Sequence, residues 1–290
     1  MARTIDDAFS TLHTWMTPTA TESAQAQSHR ASIKARLEAN LAMSAFFRSG
    51  SFGNGTSVSG YSDVDYFAEI PGYNVPFSSS SFLDKVFRVL DARFPRTGVR
   101  IDAPAVVLPF GTAREETTEV VPAELKRKTW QGHRVYQIAS RGGGWLESSP
   151  DAQGAYVDEV NTKLSKKVKP LIRFVKGWKY YNDVPVESFY LELWVAQYAN
   201  GENSILYSID MASILRNLAE LRFASIADPM GISGNISACG SVSDAATAQS
   251  KVTDAARWAS KAREAETAGK MSDAFYWWDK VFNGRFPAYS

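Results

Sequence analysis

The chain has 290 residues, of which 44% are hydrophobic and 12% aromatic, enough for a sizeable core in one large domain or two lobes. A net charge of +1 excludes a global electrostatic field that would recruit nucleic acid or an anionic membrane. The single cysteine, Cys239, excludes an internal disulfide framework and a cysteine-rich zinc site, and the three histidines lack the spacing of metal ligands.

The first part of the chain is predicted to alternate between helix and strand. An amphipathic helix is expected from about residue 21 to residue 43, because apolar residues recur there every four positions. A strand then leads into a turn at Gly50–Ser51, and a second strand follows over residues 63–70. The serines at 78–81 can cap a helix that ends before Pro95.

The middle of the chain predicts an antiparallel strand pair followed by less regular structure. Residues 99–108 are of β type, and residues 117–121 are expected to form a strand that returns antiparallel to them. The segment 122–149 is mixed in composition and is predicted to be rich in loops, with a turn at Gly142–Gly144.

Helical patterns dominate after Pro150, so the predicted fold class is α+β. We expect a first lobe with a mixed or antiparallel sheet and N-terminal helices over residues 1–164, and a helical lobe over residues 165–290. The sequence has neither a signal peptide nor an apolar run long enough to cross a bilayer, which predicts a soluble, cytoplasmic protein.

Asp63 and Asp65 are the strongest candidates for chemistry. Strand side chains alternate between faces, so the two carboxylates point the same way and Val64 points into the core. Adjacent carboxylates repel each other, and a bound cation removes that repulsion. An isolated Asp-x-Asp is more often a solvated strand start, but here it follows a turn at which Gly50 permits close backbone approach and Ser51 offers a hydroxyl and an N–H to phosphate oxygens.

A third acid is needed if two metal ions are to assist transfer of a nucleotide, and it must come from an adjacent strand. Asp102 and Glu119 are available. Asp102 precedes Ala103-Pro104, and proline cannot donate to a strand ladder, which places Asp102 at a sheet edge. Glu119 is predicted in mid-strand, where an unpaired charge is expensive unless it has a function. We therefore predict Glu119 as the third metal ligand.

A basic stripe is predicted in the helical lobe. Its members recur at three- and four-residue spacing and are Lys166, Lys169, Arg173 and Lys176. A solvated helix face explains such a stripe about as well as a binding role does.

Together these motifs resemble the bacterial cGAS/DncV-like nucleotidyltransferases (CD-NTases). The resemblance is carried first by residues 50–56, 63–65 and 119–123, and it continues through residues 144–147, 175–178, 187–192 and 278–287. It covers most of the chain, and the combination is far more specific than any single motif. One departure is visible, since Glu119 stands where many members carry aspartate, although glutamate remains a competent oxygen ligand.

The resemblance implies a polymerase-β-like fold in which the catalytic lobe faces the helical lobe across a nucleotide cleft. It implies Mg²⁺ or Mn²⁺ as the cofactor and Lys176 as a contact of the triphosphate. Ser188 matches a phosphate contact of relatives, although it can equally be the N-cap of the following helix. Phe189 can stack on a base, but core packing is the stronger expectation for an aromatic residue in an apolar helix.

The resemblance also implies that nucleoside triphosphates are joined into a cyclic di- or trinucleotide, which activates a separate effector protein in CBASS anti-phage defence. One alternative is transfer of a single nucleotide to a drug, protein or RNA acceptor. Another is a catalytically silent nucleotide-binding scaffold, against which the intact acids argue. A DNA sensor is disfavoured, because the sequence has no Cys/His cluster to build a DNA-gripping insert.

Overall fold

The computed structural model describes residues 3–19, 29–61, 63–111 and 116–290, so the start of the helix predicted from residue 21 lies outside the described residues. The helices are α1 (Ile5–Met16), α2 (Arg30–Leu41), α3 (Gly50–Asn54), α4 (Ser79–Asp91), α5 (Pro150–Lys163), α6 (Val168–Tyr181), α7 (Ser188–Asn200), α8 (Tyr207–Glu220), α9 (Val242–Thr267) and α10 (Met271–Val281). The strands are β1 (Ala45–Arg48), β2 (Val64–Glu69), β3 (Arg100–Asp102), β4 (Ala105–Phe110), β5 (Glu116–Lys128), β6 (Arg134–Ala139), β7 (Trp145–Ser148), β8 (Ile226–Ala227) and β9 (Asn235–Ile236).

A mixed sheet forms the centre of the first lobe. Its strands follow the order β1-β2-β5-β4-β3, with β6 and β7 continuing from the far half of β5. β2 and β5 are parallel, whereas the other pairs in this sheet are antiparallel, including the predicted return of β5 along β4. The parallel pair is the one that carries the candidate acids.

The prediction that residues 122–149 are rich in loops is wrong. They form the second half of β5 and the strands β6 and β7, and the predicted turn at Gly142–Gly144 joins the last two. Strand β5 runs for 13 residues, and the part near its end is exposed and rich in charge. Because its side chains face water, this part lacks the apolar alternation by which a strand is recognised in a sequence.

The two faces of the sheet differ in what covers them. One face is packed under α2 and α4, and its buried side chains include Tyr66, Val106 and Val120. Helix α4 begins as predicted, because the Ser78 hydroxyl accepts a hydrogen bond from the Ser81 N–H at 3.1 Å. The opposite face carries a smaller cluster of buried apolar side chains, which includes Phe67, Val107 and Tyr136.

The helical lobe has one continuous core, to which α1 and α5 also contribute. Phe9 of α1 lies at its centre, with ring centroids 5.0 Å from Phe174, 5.1 Å from Trp278 and 5.3 Å from Phe286. The N-terminal helix therefore packs with residues far along the chain. None of the helices in the described ranges combines the length and the apolar character that a bilayer crossing requires.

Replacement of Phe9 by alanine tests this packing. We expect Phe9→Ala to lower the free energy of unfolding by about 3–5 kcal/mol, because it opens a cavity among five aromatic rings. Trp15→Ala, on the same helix but 56% exposed, is the matched control and should change stability by less than about 1 kcal/mol. If Phe9→Ala and Trp15→Ala lowered the free energy of urea-induced unfolding equally, α1 would not be packed in this core.

Candidate active site

The pairing of β2 with β5 brings the candidate acids together. Asp65 and Glu119 are directly paired in the parallel register, so their side chains project from the same face of the sheet. Asp63 lies one residue before β2, and its carboxylate accepts a hydrogen bond from the Thr117 hydroxyl. Glu119 therefore lies on the strand adjacent to Asp65, as expected, and its role as the third metal ligand stays a prediction. Asp102 instead lies on the outermost strand, β3.

Burial is the largest cause of a raised pKa in all three carboxyl groups, and neighbouring carboxylates add to it for Asp65 and Glu119. Burial and then the charges of Asp63 and Asp102 raise the pKa of Glu119 to about 7. Burial, followed by the charges of Glu119 and Asp63, raises the pKa of Asp65 well above its usual range. Burial likewise raises the pKa of Asp63. The three groups therefore resist being ionised together, and a bound cation would relieve this.

The donor set suits a hard divalent cation, which prefers carboxylate oxygens. The three side chains are neighbours, but they are not close enough to bind one ion together. Within the ranges that the structure describes, no group of three Asp, Glu, His or Cys side chains is arranged to hold a metal ion. Their mutual repulsion supports the predicted metal roles, because attraction to a shared cation would replace it.

Gly50 lies against Asp65. It begins α3, so the predicted turn is a short helix, which ends at Gly55 in the left-handed conformation. Gly50 has a φ of +56°, and a Cβ built on it would stand 1.9 Å from Asp65 Oδ2. The Ser49 N–H also donates a hydrogen bond to the Asp65 carbonyl oxygen at 2.9 Å. Only glycine fits this position, and its fit fixes α3 beside the acids.

Lys176 is more deeply placed than the sequence suggested. Its side chain is fully buried. Nζ lies 3.6 Å from Glu192 Oε2 and donates no hydrogen bond to any of the described residues. Burial lowers the pKa of this amine, and the charges of Glu192 and Asp65 oppose that effect. The alternative that the basic stripe is a solvated helix face is wrong for two of its members, since Lys176 is fully buried and Arg173 is 7% exposed. Contact of Lys176 with a triphosphate stays a prediction.

Ser188 and Lys179 form a second polar pair near the acids. The Ser188 hydroxyl accepts a hydrogen bond from Lys179 Nζ at 2.9 Å and lies 3.0 Å from the Tyr180 hydroxyl. Ser188 is not the N-cap of α7, since Glu187 occupies that position. Burial, and then the charge of Lys176, lower the pKa of Lys179 to about 8, whereas Glu187 and Asp63 oppose this.

Lys179 was not predicted as a site residue, and Phe189 is more exposed than is expected for an aromatic residue in an apolar helix. Lys179 follows Lys176 by three residues, about one helical turn, and that spacing was the available signal. Phe189 is 43% exposed, so the expectation that it packs in the core is wrong, and its ring is accessible to a base.

Arginines flank the acids on the side of the edge strand. Arg100 continues the register row that runs from Glu119 through Val107 of β4. Arg141 forms an ion pair with Glu187 that joins the two lobes, and its Nη2 lies 3.8 Å from the Asp102 carboxylate. Both guanidinium groups favour the ionised form of Glu119.

The arrangement has counterparts among known proteins. The profile of the family described as "Second Messenger Oligonucleotide or Dinucleotide Synthetase domain" (SMODS) matches residues 3–161. The curated proteins, in contrast, contain no match to this sequence.

Solved structures share the fold over nearly the whole chain. CdnC from Escherichia coli MS115-1, solved with ATP, is 17% identical with a TM-score of 0.74, covering 97% of this chain and 98% of CdnC. CdnG from Bradyrhizobium diazoefficiens, a CD-NTase solved with GTP, is 13% identical with a TM-score of 0.73, covering 97% and 95%. DncV, the cyclic AMP-GMP synthase of Vibrio cholerae solved with the linear intermediate pppA(3′,5′)pG, is 14% identical with a TM-score of 0.65, covering 84% and 70%. The expected polymerase-β-like fold is confirmed.

The contact between Gly50 and Asp65 can be tested by adding one methyl group. Gly50→Ala should destabilise the protein by at least about 1–3 kcal/mol more than Gly60→Ala, because its Cβ overlaps a carboxylate. Gly60 has a similar left-handed φ of +73° with open space around its Cβ position, so it controls for backbone strain alone. Equal losses in denaturant unfolding would contradict the close approach.

Because the pKa of Glu119 is raised, a substitution that removes its charge should increase thermal stability, and the increase should depend on pH. The folded protein favours the neutral form of Glu119. The contribution of this form to the free energy of unfolding is therefore complete at low pH and is lost as the pH rises from about 4.5 to about 7. In EDTA, the melting temperature of Glu119→Gln should exceed that of the wild type by roughly 2–4 °C at pH 8, and the difference should shrink toward pH 5. Glu220→Gln, on the exposed end of α8, controls for the substitution.

Proposed function

This chain belongs to the second messenger oligonucleotide or dinucleotide synthetase family, whose members are nucleotidyltransferases, and we propose that it joins nucleoside triphosphates into a cyclic di- or trinucleotide. The observation that supports this best is the register pair Asp65–Glu119, joined by Asp63, beside the start of α3. Three neighbouring carboxyl groups with raised pKa values, next to a short helix that lies against Asp65, suit a cation and a phosphate chain.

The reaction is attack by a ribose hydroxyl of one nucleotide on the α-phosphorus of another, with pyrophosphate leaving. Bound Mg²⁺ or Mn²⁺ would be held by Asp63, Asp65 and Glu119, and it would supply positive charge at the reacting phosphate and the attacking hydroxyl. In this proposal Glu119 also takes the proton of that hydroxyl as the new bond to phosphorus forms. A second transfer would close the ring.

The cleft side chains have separate binding roles in this proposal. Gly50 and Ser51 lie under the triphosphate, and the lysine amines of Lys176 and Lys179 lie on the side of the helical lobe. Ser188 holds Lys179 by the hydrogen bond described above and offers its hydroxyl to a phosphate oxygen. The exposed ring of Phe189 would stack on a base, which contributes about 1–3 kcal/mol.

The product would act as a second messenger. We propose that it activates a separate effector protein in anti-phage defence, and that the protein's own direct partners in catalysis are nucleoside triphosphates.

Product analysis tests the activity. The purified protein is incubated with all four nucleoside triphosphates and Mg²⁺ or Mn²⁺, and phosphatase-resistant products are identified by mass spectrometry. We expect a cyclic di- or trinucleotide, and a loss of at least about 10³-fold in Asp63→Asn, Asp65→Asn and Glu119→Gln, because each removes several kcal/mol of charge stabilisation. Asp102→Asn, on the edge strand, should retain most activity.

Other outcomes would overturn the proposal. A nucleotide attached to a drug, protein or RNA acceptor would favour single-nucleotide transfer. Nucleotide binding without any product, under conditions in which a cyclic synthase of this family is active, would favour a silent scaffold.

A further inference from the structure

The segment that follows α3 is held by charged side chains of the helical lobe. Asn54 Nδ2 donates a hydrogen bond to Glu192 Oε1, and the Thr56 hydroxyl donates one to Glu192 Oε2, each at 2.5 Å. One carboxylate of α7 therefore receives two donors from the other lobe, 136 and 138 residues away in the sequence.

Arg173 of α6 completes this attachment. Its Nη2 donates to the Gly55 carbonyl oxygen and its Nε to the Ser57 carbonyl oxygen, both at 2.8 Å. Four consecutive residues, from Asn54 to Ser57, are thus each bound to a charged group of the helical lobe. The position of α3, and with it of Gly50 beside Asp65, depends on these contacts.

Burial makes the contacts of Glu192 strong. Glu192 is 4% exposed, Thr56 and Lys176 are fully buried, and a buried carboxylate without partners would be very costly. The same carboxylate faces Lys176 Nζ at 3.6 Å, so it also neutralises the amine that acts on Asp65. Glu192 is therefore connected both to α3 and to the buried lysine.

Gly154 leaves space for the contact between Asn54 and Glu192. Gly154 lies inside α5, where glycine is less favourable than alanine by about 1 kcal/mol. A Cβ at this position would stand 2.9 Å from Asn54 Oδ1. The missing side chain leaves room for the Asn54 amide that reaches Glu192.

We propose that Glu192 is a positioning residue, which fixes α3 against the helical lobe and sets the place of Lys176, so that both present a preformed site to the triphosphate. It acts through Asn54, Thr56 and Lys176 and does not itself contact the substrate. The inference rests on the proposed function insofar as it names a triphosphate, whereas the attachment of α3 can be measured without any nucleotide.

Hydrogen exchange measures that attachment directly. In Glu192→Gln, which keeps the shape of the side chain and removes its charge, backbone amides of residues 50–57 should exchange at least tenfold faster than in the wild type. The matched control is Asp210→Asn, because Asp210 is also 4% exposed and accepts hydrogen bonds from the Tyr198 hydroxyl at 2.8 Å and the Leu206 N–H at 2.6 Å. It should leave exchange in residues 50–57 unchanged, whatever it does to global stability.

Nucleotide binding supplies the second readout. With the α,β-methylene analogue of ATP and Mg²⁺, calorimetry should give a Kd at least tenfold higher for Glu192→Gln than for the wild type, and an unchanged Kd for Asp210→Asn. Gly154→Ala should shift exchange in residues 50–57 in the same direction as Glu192→Gln, because it displaces Asn54 without altering the carboxylate. If Glu192→Gln fails to fold, Thr56→Val removes one donor and takes its place in both measurements.

The outcomes separate the two hypotheses. Unchanged exchange in residues 50–57 of Glu192→Gln, or equal effects of Glu192→Gln and Asp210→Asn, overturns the positioning role. A wild type that binds no ATP analogue overturns the proposed function, while the exchange data still decide whether Glu192 fixes α3.

Discussion

Three carboxyl groups lie together where β2 pairs with β5, and the fold holds them there against the cost of their ionisation. Parallel pairing of β2 with β5 places Asp65 beside Glu119, and the start of β2 adds Asp63. The fold accepts this unfavourable arrangement, since the pKa values of all three groups are raised. Apolar clusters on both faces of the sheet hold the strands in register, so the cost of bringing the acids together is met by packing elsewhere.

The helical lobe is bound to the segment that follows α3. Glu192 and Arg173 hold the segment after α3, while the Gly50 backbone lies against Asp65. Buried charges of this kind are costly unless every partner is in place, which makes the relative position of the lobes well defined. Lys176 and Lys179 bring positive charge toward the acids from the helical lobe, and Arg100 and Arg141 do so from the first lobe.

Much of this could be predicted from the sequence, and the misses have physical reasons. The acids and the strand pair β4–β5 follow from side-chain alternation, and the cap of α4 follows from its serines. Within residues 122–149, the end of β5 was misjudged because it is exposed and charged and so lacks the apolar pattern of a strand, whereas β6 is mostly buried. The depth of Lys176 could not be predicted, because it depends on Glu192, which the chain brings to it only through folding. The exposure of Phe189 has the same origin, since an apolar helix pattern does not say which turn faces the cleft.

If Asp63, Asp65 and Glu119 together hold the divalent cation of a bound nucleotide, anomalous X-ray scattering from Mn²⁺ will locate that cation among them. In crystals grown with the α,β-methylene analogue of ATP, we expect manganese within about 2.5 Å of carboxylate oxygens from all three residues. Manganese bound only elsewhere in the cleft, or with Glu119 outside its coordination, would contradict this expectation.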